Sequence, residues 1–114
     1  MPGRLPRLTR RGEFLRAASK GRKAARPGLV LQALPTGADA PLRVGLTATK
    51  KIGGAVVRNR MKRRLRALAR ELLPTDGLPG ADHVLIGRAE GVEREYGSLR
   101  TELAKALNKI ARAA

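Results

Sequence analysis

The sequence contains no cysteine, only two aromatic residues and no long apolar run. Without cysteine, disulfides, iron–sulfur clusters and thiolate zinc sites are excluded. No apolar stretch approaches the roughly 20 residues that span a bilayer, and none follows the basic residues at the N-terminus. Neither a membrane-spanning helix nor a secretory signal is therefore expected, and a soluble cytoplasmic protein is predicted.

Acidic residues are also scarce: there are 9, against 25 lysines and arginines, which gives a net charge of +16. The excess lies in two segments, since residues 1–26 carry a net charge of +8 and residues 50–70 carry nine cations and no acid. A self-repelling cluster of this size destabilises a compact protein unless a polyanion offsets it. Nucleic acid is therefore the favoured partner, and an anionic membrane surface is the weaker alternative.

Short apolar patterns separated by Gly and Pro predict a single α+β domain over residues 1–114, in which residues 1–8 form a flexible basic tail. The predicted order is α-β-β-β-α-β-α, a sandwich with one small four-stranded sheet. Helices are expected from Thr9 to Lys20, from Ala55 to Leu73 and from Tyr96 to the end, and strands in GRKAARPG, GLVLQALP, LRVGLTAT and HVLIGRA. Thr9 is the predicted N-cap of the first helix, and Pro74 is predicted to stop the second.

The central helix contains the densest charge, in the segment KKIGGAVVRNRMKRRLR at residues 50–66. The helical period predicts one apolar stripe, formed by Val57, Met61, Leu65, Leu68 and Leu72. Cations and Asn59 cover the rest of the surface, and no acid is placed to form an i,i+4 ion pair with them. The stripe is narrow and is expected to pack in the core, so the helix is predicted to bind nucleic acid rather than a membrane.

The motif TKKIGGAVVRNRMKRRLR resembles the signature of the bacterial ribonuclease P protein family. The matching positions are Lys50-Lys51, Gly53, Ala55-Val56, Arg58-Asn59-Arg60 and Lys62-Arg63. RLTRRGEF, LRVGLTAT and ADHVLIGRA occur in the same order as in the family, so the resemblance covers about residues 4–112. It implies the fold of the second domain of a small-subunit ribosomal protein, with a left-handed β-α-β crossover where the general rule favours a right-handed one.

The resemblance also implies a function, that of the protein subunit of a ribonucleoprotein that removes the 5′ leader from precursor tRNA. The RNA subunit and its magnesium would perform catalysis, the protein would hold no cofactor, and no obligate homo-oligomer is expected. The expected RNA-binding residues are Lys50, Lys51, Arg58, Asn59, Arg60, Lys62, Arg63, Arg66 and Arg70. The leader is expected in a cleft between the first helix and the sheet, at Phe14, Ala18, Gln32, Thr47 and Lys51.

The expected cleft has few aromatic rings. Ala18, Leu29 and Gln32 stand where members of the family often carry Phe or Tyr, and Phe14 is the one ring left. Phe14 either stacks on a leader base or belongs to the core. Asn59 likewise has two interpretations, contact with the RNA or a hydrogen bond to nearby backbone. The cleft is therefore expected to depend more on charge and shape than on stacking.

No side-chain active site is predicted, because a protein ribonuclease needs a partnered acid and base or a carboxylate cluster for magnesium. His83 is the only histidine and has only Asp82 beside it, so a structural or solvated role is expected. Glu90, Glu93 and Glu95 are expected to charge a loop and the start of the last helix rather than to bind a metal. Two alternatives remain, a structural RNA-binding protein such as a ribosomal protein and a self-sufficient nuclease.

Overall fold

The computed structural model describes residues 5–112, which form three helices around one sheet in the predicted α+β order. The helices are α1 (Arg11–Lys20), α2 (Ala55–Asp76) and α3 (Tyr96–Arg112). The strands are β1 (Arg22–Ala25), β2 (Leu29–Pro35), β3 (Arg43–Ala48) and β4 (Ala81–Gly87). A short 3₁₀ turn, Lys50–Ile52, lies between β3 and α2, and another, Ala89–Gly91, follows β4.

The four strands are arranged in the order β1-β2-β4-β3, so β3 is an edge strand. Antiparallel pairing joins β1 to β2 and β2 to β4, whereas β3 and β4 are parallel. A parallel pair needs a crossover connection, and α2 provides it. The predicted crossover is thus confirmed, and its left hand stays a prediction from the family resemblance.

Side chains of α2 and α3 pack on one face of the sheet, called here the α2 side, and form the larger core. The stripe predicted for α2 is confirmed, with buried Met61, Leu65, Leu68 and Leu72 and half-buried Val57. Burial of each such leucine stabilises the fold by about 1.5–3 kcal/mol. The stripe is used in the core, which leaves the cations of α2 on its outer surface.

The inner face predicted for α3 is confirmed at Leu99, Leu103, Leu107 and Ile110, which are all buried. The prediction is wrong for Tyr96, which is 38% exposed. Tyr96 is the first residue of α3, and its hydroxyl lies 3.5 Å from a carboxylate oxygen of Glu71 at the surface of α2. A hydroxyl that keeps a polar partner at the surface explains why this ring is not drawn into the core.

The opposite face of the sheet, called here the α1 side, is partly covered by α1 and a smaller apolar cluster. An ion-pair network fastens α1 there: Arg43 donates to both carboxylate oxygens of Asp82 at 2.8 and 2.9 Å and to Glu13 Oε2 at 2.7 Å. Glu13 Oε1 accepts the backbone N–H groups of Thr9 and Arg10 at 3.1 and 3.0 Å. These backbone hydrogen bonds, assisted by Arg43, lower the pKa of Glu13 to about 2.

Two predictions at the N-terminus are wrong. The residue that precedes α1 is Arg10 rather than Thr9, because Glu13 reaches back to satisfy the N–H groups at the start of the helix. The flexible tail predicted for residues 1–8 does not extend over residues 5–8, since Leu8 is buried and its N–H donates to the carbonyl of Val44 at 2.9 Å. Residues 1–4 lie outside the described residues.

The predicted stop of α2 at Pro74 is also wrong, because the helix continues to Asp76. Proline removes one N–H donor and crowds the preceding turn, but its fixed φ is compatible with helical geometry. A hydrogen bond that bypasses the proline stabilises the last turn of α2: Gly77 N–H donates to the carbonyl of Leu73 at 2.9 Å.

Candidate nucleic-acid interface

The outer surface of α2 and the turn before it form a continuous cationic strip over residues 50–70. Gly53 allows the sharp entry into α2, because its φ of 145° is strained for other residues and an added Cβ would lie 2.9 Å from Val57 Cβ. Lys50, Lys51, Asn59, Arg60, Arg63 and Arg70 are exposed, and Arg58, Lys62 and Arg66 are half-buried. All nine predicted RNA-binding residues are therefore at least partly exposed along α2 and the turn before it.

Most of these cations have no partner within the protein. Among residues 5–112, no ion pair or side-chain hydrogen bond is made by Lys50, Lys51, Arg58, Lys62, Arg63, Arg66 or Arg70. Asn59 is exposed, and its side chain has no hydrogen-bond partner in the same range, which weakens the interpretation that it bonds nearby backbone. Unpaired guanidinium and ammonium groups on one surface are what a phosphate backbone binds.

Two arginines of α2 hold the loop between β4 and α3 instead. Arg64 donates to the carbonyl of Val92 at 3.2 Å and to the carbonyl of Arg94, and Arg60 Nη1 lies 3.1 Å from Glu93 Oε2. Arg60 and Glu93 are both well exposed, so this ion pair is weak and leaves Arg60 available to RNA. Arg64 has a structural role that its position in the basic motif does not reveal.

The cleft on the α1 side begins where the ring of Phe14 lies against β3. A Cβ added at Gly45 would come within 2.5 Å of this ring, so the glycine is required for the close approach. One row further along the sheet, Val30, Ile86 and Thr47 are aligned with one another and are half-buried. Because these side chains are only half-buried beside α1, the row forms a partly exposed surface, called here the open floor.

Three of the five predicted cleft residues, Phe14, Gln32 and Thr47, lie on or against this face of the sheet. Gln32 is aligned with Val84 and Gly45, so it lies on the same face as Phe14 and Thr47, although only 6% of it is exposed. Ala18 is exposed on α1, and Lys51 is exposed in the turn after β3. Leu29 is completely buried in the core on the α2 side, so it is not a cleft position.

Two cations at the far end of this floor, Arg26 and Arg88, were not predicted from the sequence. Arg88 follows β4, and its guanidinium donates to the carbonyl of Arg26 at 2.9 Å while its N–H donates to Gly28 O at 3.1 Å. The two arginines are 62 residues apart in the chain and meet only because β2 pairs with β4. No local sequence pattern indicates this neighbourhood.

His83 is fully buried in β4, where its Nε2 accepts the N–H of Leu78 at 3.0 Å. Burial lowers the pKa of His83 from its ordinary value. The residue is therefore structural, as predicted. Within residues 5–112, no group of three His, Asp or Glu side chains is placed to hold a metal ion. None of the described helices is both long enough and apolar enough to cross a membrane.

A sequence profile of the Ribonuclease P family matches residues 3–111 of this chain. A ribonuclease P protein component from Erythrobacter litoralis is 55% identical over 102 residues, which cover 90% of this chain and 83% of the relative. Another from Gluconacetobacter diazotrophicus is 49% identical over 109 residues, which cover 96% of this chain and 94% of the relative.

Solved structures agree with the sequence relatives. The ribonuclease P protein of Thermotoga maritima superposes with a TM-score of 0.75 at 27% identity and covers 93% of this chain and 96% of its own. The Staphylococcus aureus protein, at 23% identity, shares the fold with a TM-score of 0.77 over 90% of this chain and 93% of its own. The chain therefore belongs to the ribonuclease P protein family, which supplies the RNA-binding protein subunit of a tRNA-processing ribonucleoprotein endoribonuclease.

Proposed function

We propose that this chain assists ribonuclease P without taking part in bond cleavage, by binding two RNAs on two surfaces. The cationic strip of α2 binds the catalytic RNA subunit, and the cleft on the α1 side holds the 5′ leader of precursor tRNA. The observation that carries the RNA-binding part of this proposal is the set of unpaired cations over residues 50–70. The only histidine, His83, is completely buried and is therefore unsuited to act on RNA. Cleavage is assigned to the RNA subunit and its magnesium, with no cofactor held by the protein and no obligate homo-oligomer.

On α2 the two kinds of cation have different roles. Arg58, Arg63 and Arg66 present planar forks that can donate two parallel hydrogen bonds to a phosphate. Lys50 and Lys51 are mobile point charges at the entry to the helix, where they can follow a backbone that bends towards the cleft. Asn59 offers a donor and an acceptor on the same exposed surface, so it suits a base edge or a 2′-hydroxyl.

In the cleft, an extended single strand is favoured over a duplex. The open floor is one row of half-buried side chains, Val30, Ile86 and Thr47, bounded by α1 on one side. Arg88 and Lys51 place positive charge near the floor, and Lys51 belongs to a segment that contains no acid. Since Phe14 supplies one ring, the leader is held chiefly by its phosphates and by the apolar floor. Because both proposed partners are RNAs, we assign the complex to the cytoplasm.

The division of labour is tested by reconstitution. The purified chain alone should not cleave precursor tRNA, whereas adding it to the matching RNA subunit at low magnesium should raise the rate. Cleavage by the RNA-free chain that survives rigorous nuclease controls would overturn the proposal.

The assignment of α2 is tested by paired charge removal. Lys62→Ala with Arg63→Ala should weaken binding to the RNA subunit and make the slope of log affinity against log salt shallower by roughly 1.4–1.8, because each lost phosphate contact contributes about 0.7–0.9. Lys105→Ala with Lys109→Ala removes the same charge from exposed positions of α3. If both pairs change the slope equally, RNA binding is not localised to α2.

A further inference from the structure

A pocket of about 180 Å³ lies on the α2 side of the sheet, between α2, the edge strand β3 and the segment that precedes α1. Its apolar lining consists of Leu5, Val44, Leu46 and Ala69. Three arginines, Arg7, Arg66 and Arg70, complete it, and no acidic side chain lines it. An apolar hollow bordered only by cations suits a ligand that has a ring and a negative charge.

This pocket is separate from the leader cleft. Successive side chains of a strand point to opposite faces, so Val44 and Leu46 face α2, whereas Gly45 and Thr47 face α1. The burial of Val44 in the larger core and the contact of Gly45 with Phe14 show both orientations. The sheet lies between the two sites, so one nucleotide cannot occupy both.

Volume limits the ligand to one ring. A cavity of about 150 Å³ is enough for benzene, and drug-sized ligands need roughly 300 Å³ or more. The pocket therefore holds a single nucleobase and excludes a folded peptide segment. Among the described residues, Arg66 also has a buried Nε with no hydrogen-bond partner, and a ligand in the pocket would supply an acceptor on that side.

The edge of β3 offers hydrogen bonds beside the pocket. The N–H of Val44 donates to Pro6 O and its carbonyl accepts Leu8 N–H, both at 2.9 Å, so Val44 directs its backbone groups away from β4. Leu46, two residues later, directs its N–H and carbonyl the same way, and no partner for them occurs on that side within residues 5–112. Nucleobase edges carry adjacent donors and acceptors that match such a pair.

We propose that this pocket binds one unstacked nucleobase of an RNA strand that lies along α2. The base packs on Leu46 and Ala69 and meets the backbone of Leu46, while Arg7 and Arg70, which are exposed, bind the flanking phosphates. Unstacked bases with neighbouring phosphates are the usual targets of sequence-specific RNA recognition. The inference rests on the proposed binding of RNA by α2 and adds a base-binding site to it.

The first test uses the wild-type chain and two small probes, observed through its backbone amide NMR signals. Uridine 5′-monophosphate, whose base is one ring, should shift the amide signals of Leu46 and Ala69, whereas ribose 5-phosphate, which has the same phosphate but no base, should leave them nearly unchanged. Equal shifts by both probes would mean that the site binds phosphate alone. Shifts confined to Thr47 and its neighbours on the α1 side would mean that the base prefers the cleft. Either result overturns the proposal.

The second test fills the pocket and measures affinity for the RNA subunit. Leu46→Phe should lower that affinity several-fold, because the larger side chain occupies the volume that the base would fill. Leu34→Phe adds the same ring to a half-buried leucine on the α1 side and should have little effect. Thermal unfolding of both variants controls for damage to the core.

Arg63→Ala separates the two proposals, because Arg63 is exposed on α2 and does not line the pocket. If Arg63→Ala weakens binding and Leu46→Phe does not, the RNA lies on α2 but places no base in the pocket. If neither substitution weakens binding, the proposed use of α2 fails together with the pocket.

Discussion

Phe14 is both packed in the protein and partly exposed, so neither of its two predicted roles is excluded. Its ring lies against the backbone of Gly45 and belongs with Leu8 to the smaller cluster, so it contributes to packing. The side chain is nevertheless half-buried and borders the open floor, so part of the ring remains available to a leader base. Both interpretations of this residue therefore stand, and only a comparison of ligands with and without a leader separates them.

Phe14→Leu should weaken the binding of precursor tRNA by about 1 kcal/mol or more, since base stacking on a ring contributes about 1–3 kcal/mol. Binding of mature tRNA, which has no leader, should be nearly unchanged. The measurement is the pair of dissociation constants for wild type and variant, with the melting temperature as control. A sharp fall in melting temperature with equal loss for both ligands would make Phe14 a core residue only.

His83 should make stability depend on pH. Burial lowers its pKa below the ordinary value of about 6.5, and its Nε2 must stay unprotonated to accept the N–H of Leu78. Below pH 6.5 the unfolded chain therefore binds a proton that the folded chain does not. The free energy of unfolding should be flat above pH 7 and fall towards pH 5, by up to about 1.4 kcal/mol per pH unit.

The control for this pH dependence is His83→Gln, whose amide oxygen can still accept the N–H of Leu78 but does not titrate. Because His83 is the only histidine, no other side chain is expected to titrate strongly between pH 5 and 7. Urea unfolding at several pH values gives the free energies. A wild-type curve that is flat down to pH 5, or an equally steep curve for the variant, contradicts the prediction.

At the scale of the helix, the neighbouring residues Arg63 and Arg64 are predicted to have different roles, one in RNA binding and the other in stability. Arg64 is half-buried and bonds two loop carbonyls, so Arg64→Ala should lower the free energy of unfolding by about 1.5–3 kcal/mol. Arg63 is exposed and unpaired within residues 5–112, so Arg63→Ala should change stability by less than about 0.5 kcal/mol. The salt slope for the RNA subunit should become shallower by about 0.7–0.9 for Arg63→Ala only. The same slope for both variants contradicts this distinction.

The elements themselves were largely predictable, because each carries a local signal. The segment LRVGLTAT was predicted as the strand that is β3, and the helical period predicted the buried stripe of α2. The errors lie at ends, where a contact with another residue decides the boundary. Glu13 supplies the bonds that set the start of α1, and no rule based on Thr9 alone reveals them.

The site was predictable only where its residues are consecutive. The basic strip of α2 is one segment, so its composition showed it directly. The network of Glu13, Arg43 and Asp82 spans the sheet, and its members are 30 and 39 residues apart along the chain. The base-sized pocket likewise joins three separate segments. These residues are brought together by the order and pairing of the strands, which no short stretch of the sequence reveals.

At the scale of the whole molecule, the sheet separates the two surfaces that are proposed to bind RNA. The strip of α2 lies on one side and the proposed leader cleft on the other, so under the proposed function one small domain contacts two RNA segments at once. The same arrangement keeps like charges close together, since a net charge of +16 is held within extents of 37 × 29 × 28 Å. Self-repulsion on this scale opposes folding until an anion or salt reduces it.

The melting temperature should therefore rise between 10 and 300 mM sodium chloride. The screening length is about 30 Å at 0.01 M salt, which is comparable to the molecule, and about 8 Å at 0.15 M. Salt also weakens the five internal ion pairs found among residues 5–112. Each of these pairs has at least one side chain that is 30% exposed or more, so their contribution is small and repulsion prevails. Lys50→Gln with Lys51→Gln and Arg63→Gln should reduce the salt dependence. A melting temperature that is constant or falls with salt would show that the cations of α2 do not oppose folding.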